Sequence, residues 1–265
     1  MPLTSIIIPT YNGLHLLQPC VEAIRAFTDT PYEIIVVDNG SSDGTWAYCE
    51  KERLISIWNP DNSGYAAACN LGLKLASGDH LLLMNNDVTV MPGWLNNLHT
   101  ALHSSERIGM VGPVTNYASG IQKVETGADS MEAFMRYATD NNRSDPSRWM
   151  ETERLVGLCL LFRRELLQRV GYLDELFSGG HYEDDDYCFR IRAHGFRLLV
   201  CGDCFVHHQG SASFNLMAEE ELKALIQRNF QRFVDKWQVD PGHFIEKPAG
   251  TIQPVLRRDK EGVKL

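Results

Sequence analysis

Residues 183–186 are four consecutive carboxylic acids, Glu-Asp-Asp-Asp, with Tyr182 before them and Tyr187 after them. Carboxylates this close together raise one another's pKa values, and a carboxylate with a raised pKa is a stronger general base. Acidic side chains also stabilise a helix N-terminus, and the following residues, DYCFRIRAHG, are expected to form a helix. Residue types and spacing therefore allow either a general base with supporting carboxylates or a solvated turn that begins a helix.

Two other aspartates directly follow apolar segments. Asp38 ends YEIIVVD, and a carboxylate at the end of a buried strand needs a partner, such as a donor on a nucleotide base or a ribose. Asp87 follows LLLMNN, an oxygen-rich segment that suits a hard divalent cation. The alternatives are structural, with Asp38 as a turn or cap residue and Asp87 in an Asx turn.

The segment CGDCFVHH contains two cysteines and two histidines, which are the residue types of a zinc site. Its spacing differs from that of a zinc finger, in which about a dozen residues separate the two pairs. Adjacent side chains of a strand point to opposite faces, so His207 and His208 are not expected to bind one ion together. We therefore favour neither a zinc site nor a redox Cys-X-X-Cys, and a buried core histidine stays an alternative.

Strand and helix patterns alternate around these residues. Apolar or β-branched runs predict strands at 4–10, 32–38, 54–59, 80–90 and 196–208. Helical spacing predicts helices at 14–27, 46–53, 64–77 and 217–237. The polar stretch 114–153 is interpreted as a functional loop with one helix near MEAFMRYA, followed by a strand and a helix at 155–177. The alternation predicts an α/β fold whose ligands bind at the carboxyl ends of the strands.

Composition limits the class of protein. The 265 residues are enough for one large α/β domain or two small ones. The formal net charge of −9 argues against a nucleic-acid partner, because such proteins bring Lys and Arg to the phosphates. The sequence has no apolar run of the ~20 residues that a membrane helix needs and no signal-peptide pattern. The seven cysteines suit reduced core thiols, so we expect a cytoplasmic protein.

Six motifs appear in the order found in family 2 glycosyltransferases: PTYN, VVDNGSSDGT, NSGYAAACNLG, LLLMNNDV, GLCLLFRRELLQRVGYLDE and YEDDDYCFRIRAHGF. The resemblance covers roughly residues 3–215. It implies the GT-A fold, a Rossmann-like, mostly parallel sheet with helices on both faces. We expect one domain at 1–240, with a nucleotide-sugar half at 1–113 and an acceptor half at 114–240, and a tail at 241–265.

The resemblance implies inverting transfer of a sugar from a UDP- or dTDP-sugar to a hydroxyl group. Asp184 matches the family's general base, while Glu183, Asp186 and Tyr182 would bind the acceptor. Asp185 receives no role, and Tyr182 and Tyr187 are expected to form walls of the acceptor pocket. Direct displacement needs no covalent nucleophile.

The resemblance also implies a site for the nucleotide sugar and for Mg²⁺ or Mn²⁺. The expected ligands of the metal are Asp87 and His208, with His207 as the alternative to His208. Asn85 replaces the first carboxylate of the family's Asp-X-Asp motif, so Asp87 is the main carboxylate of the expected metal site. Asp38 would accept from the base imide, Gly157 would leave room for the sugar, and Ser211 and Ser213 would reach the phosphates. The residues expected to bind the nucleotide sugar are Pro9, Thr10, Tyr11, Asp38, Asn39, Asn62, Gly64, Asn85, Asn86, Asp87 and Gly157.

The expected acceptor is a glycan or a lipid-linked or protein glycoconjugate, in the synthesis of a bacterial surface polysaccharide. Peripheral attachment to the inner face of the membrane is left open. One alternative is a sugar nucleotidyltransferase, but PTYNGLHLL lacks the glycine-rich basic loop such enzymes place after the first strand. The other alternative is an inactive GT-A module that binds carbohydrate or metal.

Overall fold

The computed structural model describes residues 2–210 and 218–244. The strands in this part of the chain are β1 Thr4–Thr10, β2 Tyr32–Asp38, β3 Ile55–Trp58, β4 His80–Met84, β5 Val88–Thr89, β6 Ile108–Thr115, β7 Trp149–Thr152, β8 Cys159–Arg163 and β9 Arg197–His208. The α-helices are α1 Leu14–Phe27, α2 Thr45–Lys51, α3 Tyr65–Leu75, α4 Trp94–Leu102, α5 Met131–Asn141, α6 Arg164–Val170, α7 Glu183–Ala193 and α8 Glu219–Trp237.

One mixed sheet organises these elements, in the strand order β3-β2-β1-β4-β8-β6-β9-β5, and β7 also pairs with β9. Strands β3, β2, β1 and β4 run parallel to one another, and β6 runs parallel to β9. Strand β8 runs antiparallel between β4 and β6. The prediction of a mostly parallel α/β sheet is confirmed, and the carboxyl ends of β1, β2, β4, β6 and β9 lie at one edge.

Helices cover both faces of this sheet. Ile6 and Ile8 of β1 belong to the core that includes Leu17 of α1 and Leu98 of α4. Ile7 points the other way, into the core that includes Cys69 of α3. All seven cysteines are free and buried, which fits the expectation of reduced core thiols.

A third, aromatic cluster joins α7 to the C-terminal part of the described chain. Phe189 of α7 and Phe233 of α8 pack with Phe177 and Phe244. The helix predicted at 217–237 is therefore present as α8, and the first residues of the predicted tail, 241–244, dock with Phe244 buried. Residues 245–265 of that tail lie outside the described residues.

Helix α1 has the predicted bounds, 14–27, and includes Pro19. Elsewhere the structure differs from the sequence predictions. The strand predicted at 80–90 is interrupted at Asn85–Asp87, which lie between β4 and β5, and strands β6 and β7 were not predicted. Helix α4 was not predicted, although its buried residues Trp94, Leu95 and Leu98 have helical spacing. No helix among residues 2–210 and 218–244 is long and apolar enough to cross a membrane.

Candidate active site

A deep cleft of about 1480 Å³ opens at the carboxyl ends of the strands. This volume exceeds the ~300–1,000 Å³ of common small-molecule sites, so it can hold a donor together with part of an acceptor. The predicted site residues that line the cleft are Pro9, Thr10, Tyr11, Asn39, Asn62, Gly64, Asn85, Asn86, Asp87, Gly157, Tyr182, Glu183, Asp184 and His208. The sequence motifs, separated by up to two hundred residues, thus converge on one cavity.

The ends of β1 and β4 are tied together on the floor of this cleft. Asn86 Nδ2 donates a 2.8 Å hydrogen bond to Thr10 Oγ1. Gly13 leaves room for this pair, because a Cβ atom there would lie 2.4 Å from Asn86 Nδ2. The amide of Asn86 is therefore held in place by protein contacts.

A network of asparagines shapes the wall that follows β2 and β3. Asn59 Nδ2 donates to Asn39 Oδ1 at 2.9 Å, and Asn62 Oδ1 accepts from the backbone N of Gly64 at 3.1 Å. Gly64 has φ of +85°, and a Cβ atom there would lie 2.8 Å from Gly179 N, so only glycine fits this approach to the opposite wall. The loop after β3 is thereby packed against the loop that precedes α7.

Asp38 lies beneath the cleft and not on its surface. Its side chain is fully buried, and Oδ1 accepts from the backbone N of Ser41 at 2.9 Å. The other oxygen, Oδ2, is buried without a hydrogen-bond partner among the described residues. Asn39, the next residue, forms the surface of the cleft at this point, and the role of Asp38 in nucleotide binding stays a prediction.

Asp87 and His208 form a pair on the cleft wall. His208 Nε2 lies 3.1 Å from Asp87 Oδ1, and His208 Nδ1 lies 2.8 Å from the carbonyl oxygen of Tyr117. Burial opposes protonation of the imidazole, but the hydrogen bonds and charge of Asp87 and the Tyr117 carbonyl raise the pKa of His208. The alternation of β9 and its pairing with β5 bring this imidazole and carboxylate together.

His207 and the two nearby cysteines do not join this pair. The His207 ring packs on Phe134, with 4.6 Å between the centroids, on the face of β9 that α5 covers. Burial raises the pKa values of Cys201 and Cys204 well above the usual range, and neither thiol converges with two further His, Cys, Asp or Glu side chains among the described residues. That CGDCFVHH is not a zinc site stays a prediction.

Asp184 is held at the cleft by backbone amides. Its Oδ2 accepts from Gly157 N at 2.8 Å, and its Oδ1 accepts from Asp185 N at 2.9 Å. A Cβ atom on Gly157 would lie 3.2 Å from Asp184 Cβ, so the small residue makes room for the carboxylate. Gly157 also lines the cleft, and its predicted role of leaving room for the sugar stays a prediction.

The four carboxylates form the first turn of α7, as the helix interpretation of the sequence required. The two residues before it, His181 and Tyr182, have φ of +67° and +73°, a conformation that costs about 1–3 kcal/mol for each non-glycine residue. These two residues hold the first turn of α7 beside the cleft despite this strain.

Glu183 is the first carboxylate of this turn. Burial and then the charge of Asp184 raise the pKa of Glu183 well above the usual range. Glu183 Oε2 is buried without a hydrogen-bond partner among the described residues.

Asp185 has a partner that sequence reasoning missed. Arg154 Nε lies 2.5 Å from Asp185 Oδ1, and both residues line the cleft. Burial, together with the charge of Asp184 and despite the opposing charge of Arg154, raises the pKa of Asp185 to about 7. The only sequence signal for Arg154 is a cation just before the apolar segment LVGLCLLF, and spacing alone does not connect it to α7.

The expectation that Asp186 binds the acceptor is wrong. Its side chain is fully buried and points away from the cleft, toward α8. Oδ2 accepts from Arg190 Nε at 2.8 Å, and Oδ1 accepts from Lys236 Nζ at 2.6 Å and from Trp237 Nε1 at 2.8 Å. Tyr187 is likewise buried, against Phe162, so it forms no wall of the cleft.

The remaining predicted residues are placed as follows. Tyr182 lines the cleft, and its ring packs against Phe230 and Phe233 of α8. Ser211 and Ser213 lie outside the described residues.

Comparison with known proteins identifies the source of these motifs. The sequence model of the family described as "Glycosyl transferase family 2" matches residues 5–171, more than half of the chain. The chain belongs to glycosyl transferase family 2. The resemblance predicted from the sequence motifs is thereby confirmed.

Relatives of this family 2 chain include much longer proteins. The O-antigen biosynthesis protein RfbC of Myxococcus xanthus is 29% identical over 226 residues, which cover 80% of this chain and 18% of that protein. The chain spans between 18% and 30% of the length of three of the curated relatives that it matches.

Two solved structures have the same fold as this family 2 chain. One is the mannosyltransferase PcManGT from Pyrobaculum calidifontis in complex with GDP-Man and Mn²⁺, with a TM-score of 0.62, 20% identity, and 92% of this chain and 67% of that chain covered. The other is GalNAc-T7 with UDP, GalNAc and Mn²⁺, with a TM-score of 0.66, 16% identity, and 91% and 50% covered. These matches confirm the predicted GT-A fold.

Proposed function

We propose that the chain is an inverting glycosyltransferase that moves a sugar from a UDP- or dTDP-sugar to a hydroxyl of a glycan or glycoconjugate. The observation that carries the proposal is that Asp184 and the Asp87–His208 pair line one cleft, at the end of the sheet that holds the family's motifs. A base and a separate group for the diphosphate are the two requirements of direct displacement at the anomeric carbon.

Asp184 acts as the general base. The acceptor oxygen forms a bond to the anomeric carbon from the face opposite the diphosphate, the bond to the diphosphate breaks, and the hydroxyl proton moves to Asp184. The two amides on Asp184 fix its orientation. A fixed carboxylate accelerates such a proton transfer by about 10²–10⁴-fold.

Asp87 and His208 would hold Mg²⁺ or Mn²⁺, which the family implies. The donor set fits, because a carboxylate oxygen and an imidazole nitrogen lie 3.1 Å apart on the cleft wall, next to the amides of Asn85 and Asn86. When bound, such an ion would neutralise charge on the leaving diphosphate. With one protein carboxylate in the set, we expect weak metal binding without the donor and tighter binding with it.

The donor would lie along residues 1–113 and the acceptor along 114–240. Tyr11 and Asn39 would contact the nucleoside, with the orphaned oxygen of Asp38 behind them as the acceptor for the base imide. Thr10 and Asn86 would border the ribose and diphosphate, while Glu183 and Tyr182 would contact the acceptor. The nucleotide choice is open to experiment, since the similar structures hold GDP-Man in one case and UDP in the other.

Synthesis of a surface polysaccharide is supported by the O-antigen relative. Nucleotide sugars are cytoplasmic metabolites, so the reaction would take place in the cytoplasm. A lipid-linked acceptor would bring the protein to the inner face of the membrane.

The donor is tested by thermal-shift screening of UDP-, dTDP- and GDP-sugars with and without Mn²⁺. We expect one UDP- or dTDP-sugar to raise the melting temperature in a Mn²⁺-dependent way, because ligand stabilisation follows occupancy. Asp87→Asn should abolish the Mn²⁺ dependence, and the exposed Asp140→Asn is the matched control. If only GDP-sugars stabilise the protein, the nucleotide assignment is wrong; if none does, the proposed function is wrong.

The reaction is tested with the donor so identified. Release of free UDP or dTDP supports transfer, whereas pyrophosphate formation from sugar phosphate would indicate a nucleotidyltransferase. Donor binding without any turnover across a panel of glycan acceptors would indicate an inactive binding module. NMR of the product should show the anomeric configuration opposite to that of the donor, and retention would contradict the direct displacement.

A further inference from the structure

Three histidines meet at the opposite end of the sheet from the cleft. His80 is the first residue of β4, His99 lies in α4, and His103 follows α4 as its C-cap. One potential ligand atom of each lies within 4.8 Å of the others. In residues 2–210 and 218–244, no other group of three His, Cys, Asp or Glu side chains converges in this way.

The contacts between the rings are those of a preformed cage. His80 Nε2 lies 2.8 Å from His103 Nε2, and His99 Nε2 lies 2.9 Å from Thr4 Oγ1. The ring centroid of His80 lies 4.6 Å from that of His99 and 4.9 Å from that of His103. Tetrahedral zinc with Zn–N bonds of about 2.0–2.1 Å needs nitrogens about 3.3 Å apart. The ligand atoms, which lie within 4.8 Å of one another, must therefore adjust through their side-chain torsions when the ion binds.

A second observation points to a ligand. His80 is 3% exposed, and its Nδ1 is buried without a hydrogen-bond partner among the described residues. A core histidine that served only packing would be expected to satisfy both ring nitrogens. One nitrogen of the buried His80 ring is therefore not engaged by the described protein, while the other, Nε2, faces His103.

The electrostatics keep the imidazoles neutral. Burial, then the His103 ring and Arg163, lower the pKa of His80 to about 4 against the opposing charge of Asp79. Burial and the rings of His80 and His103 lower that of His99 to about 4. Burial and Arg163 also lower the pKa of His103. The Arg163 guanidinium donates to the carbonyls of Leu102, Ser105 and Ile108, so its N–H groups are occupied outside the cluster. Neutral rings offer lone pairs to a metal without releasing protons.

We propose that His80, His99 and His103 form a transition-metal site for which Zn²⁺ is the best-fitting ion. Three imidazoles suit zinc, copper or nickel, whereas Mg²⁺ prefers oxygen ligands. His103 is exposed, which leaves the fourth position open to water. The ion fastens α4 to the start of β4, about 17 Å along that strand from the cleft. The site shares no residue with the proposed active site and does not depend on the proposed function.

The test uses Zn²⁺ alone, titrated into the full chain by calorimetry, with Co²⁺ absorption as a second probe. The Asp87→Asn variant serves as the background, because it removes the carboxylate from the other proposed metal site, Asp87 and His208. In this background we expect one equivalent of Zn²⁺, a rise in melting temperature, and the visible absorption bands of tetrahedral Co²⁺. His103→Asn should weaken Zn²⁺ binding at least about tenfold, since even outer-sphere changes cost 10- to 100-fold.

The exposed His15→Asn is the matched control and should bind Zn²⁺ as the background does. His99→Asn is the second ligand variant, and circular dichroism checks that each variant is folded. His103 is exposed, so its replacement is not expected to unfold the chain. Equal Zn²⁺ affinity in the background, His103→Asn and His99→Asn proteins would overturn the proposal, and so would loss of all Zn²⁺ binding in Asp87→Asn alone.

Discussion

The first turn of α7 has a cleft face and a packed face, and the two differ in what satisfies their carboxylates. On the cleft face, Asp184 is held by the amides of Gly157 and Asp185, and no cationic side chain of residues 2–210 and 218–244 lies within hydrogen-bond distance of it. On the packed face, Asp186 is paired with Arg190 and Lys236. The four carboxylates look uniform in sequence, but they have different roles in the structure. Asp184 is open to a ligand in the cleft, whereas Asp186 binds α8 to α7.

The largest expected effect is on the cleft face. Asp184→Asn should lower kcat by about 10²–10⁴-fold, because an amide does not accept the hydroxyl proton. The unfolding free energy should fall by about 1–3 kcal/mol, because both oxygens of Asp184 accept backbone N–H groups and the Nδ2 group of asparagine would face one of them. Steady-state kinetics with the identified donor, beside urea unfolding, measures both quantities. Asp140→Asn is the control, and near-normal turnover by folded Asp184→Asn would remove Asp184 as the base.

The packed face should respond in the opposite way. Asp186→Asn leaves the buried charge of Arg190 and one contact of Lys236 without their carboxylate, which typically costs about 3–5 kcal/mol of unfolding free energy. Urea unfolding measures this loss, with the exposed Asp235→Asn on α8 as the control. The fraction that stays folded should keep its kcat. A stable but inactive Asp186→Asn protein would restore the rejected role in acceptor binding.

The sequence could predict the edge of the sheet but not the faces of this turn. Strand ends are local: Thr10, Asp38 and Asn85 each follow an apolar run, and parallel strands bring such ends to one edge. The direction of Asp186 depends on Lys236 and Trp237, about fifty residues later, and no local pattern encodes that contact. Because successive residues of a helix are rotated by about 100°, neighbouring carboxylates such as Asp184 and Asp186 point to different faces of α7.

Long-range partners were missed for the same reason. Arg154 reaches Asp185 from a segment about thirty residues earlier, and the histidine cluster joins β4 to a helix that was not predicted. The helical spacing of Trp94, Leu95 and Leu98 was a signal that could have revealed α4. Once α4 is known, His99 and His103 fall one turn apart and can approach the same point.

A smaller effect should appear at Asp185, between the two faces. The charged groups that face it are Glu183, Asp184 and Arg154, and burial raises its pKa to about 7. An unfolded aspartate has its ordinary pKa near 4. Between about pH 4 and 7 the folded chain then binds more protons than the unfolded chain, so this contribution to stability is present at low pH and is lost as pH rises.

Asp185→Asn should remove that contribution. The variant is less stable overall, because Arg154 loses its partner, but its unfolding free energy should fall less between pH 5 and 7.5 than that of the wild type, by about 1–2 kcal/mol. Urea unfolding at a series of pH values gives both curves, with Asp140→Asn as the reference. Parallel curves for Asp185→Asn and wild type would show that Asp185 does not titrate in this range.

The smallest effect should come from Gly157, whose amide fixes the cleft face. In Gly157→Ala the new Cβ atom would lie 3.2 Å from Asp184 Cβ and 3.3 Å from Oδ2, so the carboxylate must move by a few tenths of an ångström. A shift of that size should lower kcat by about tenfold, since 1 Å costs about a hundredfold. The donor KM should stay unchanged. If KM for the donor rises while kcat is kept, Gly157 makes room for the sugar, as the sequence first indicated, and the position of Asp184 depends on other contacts.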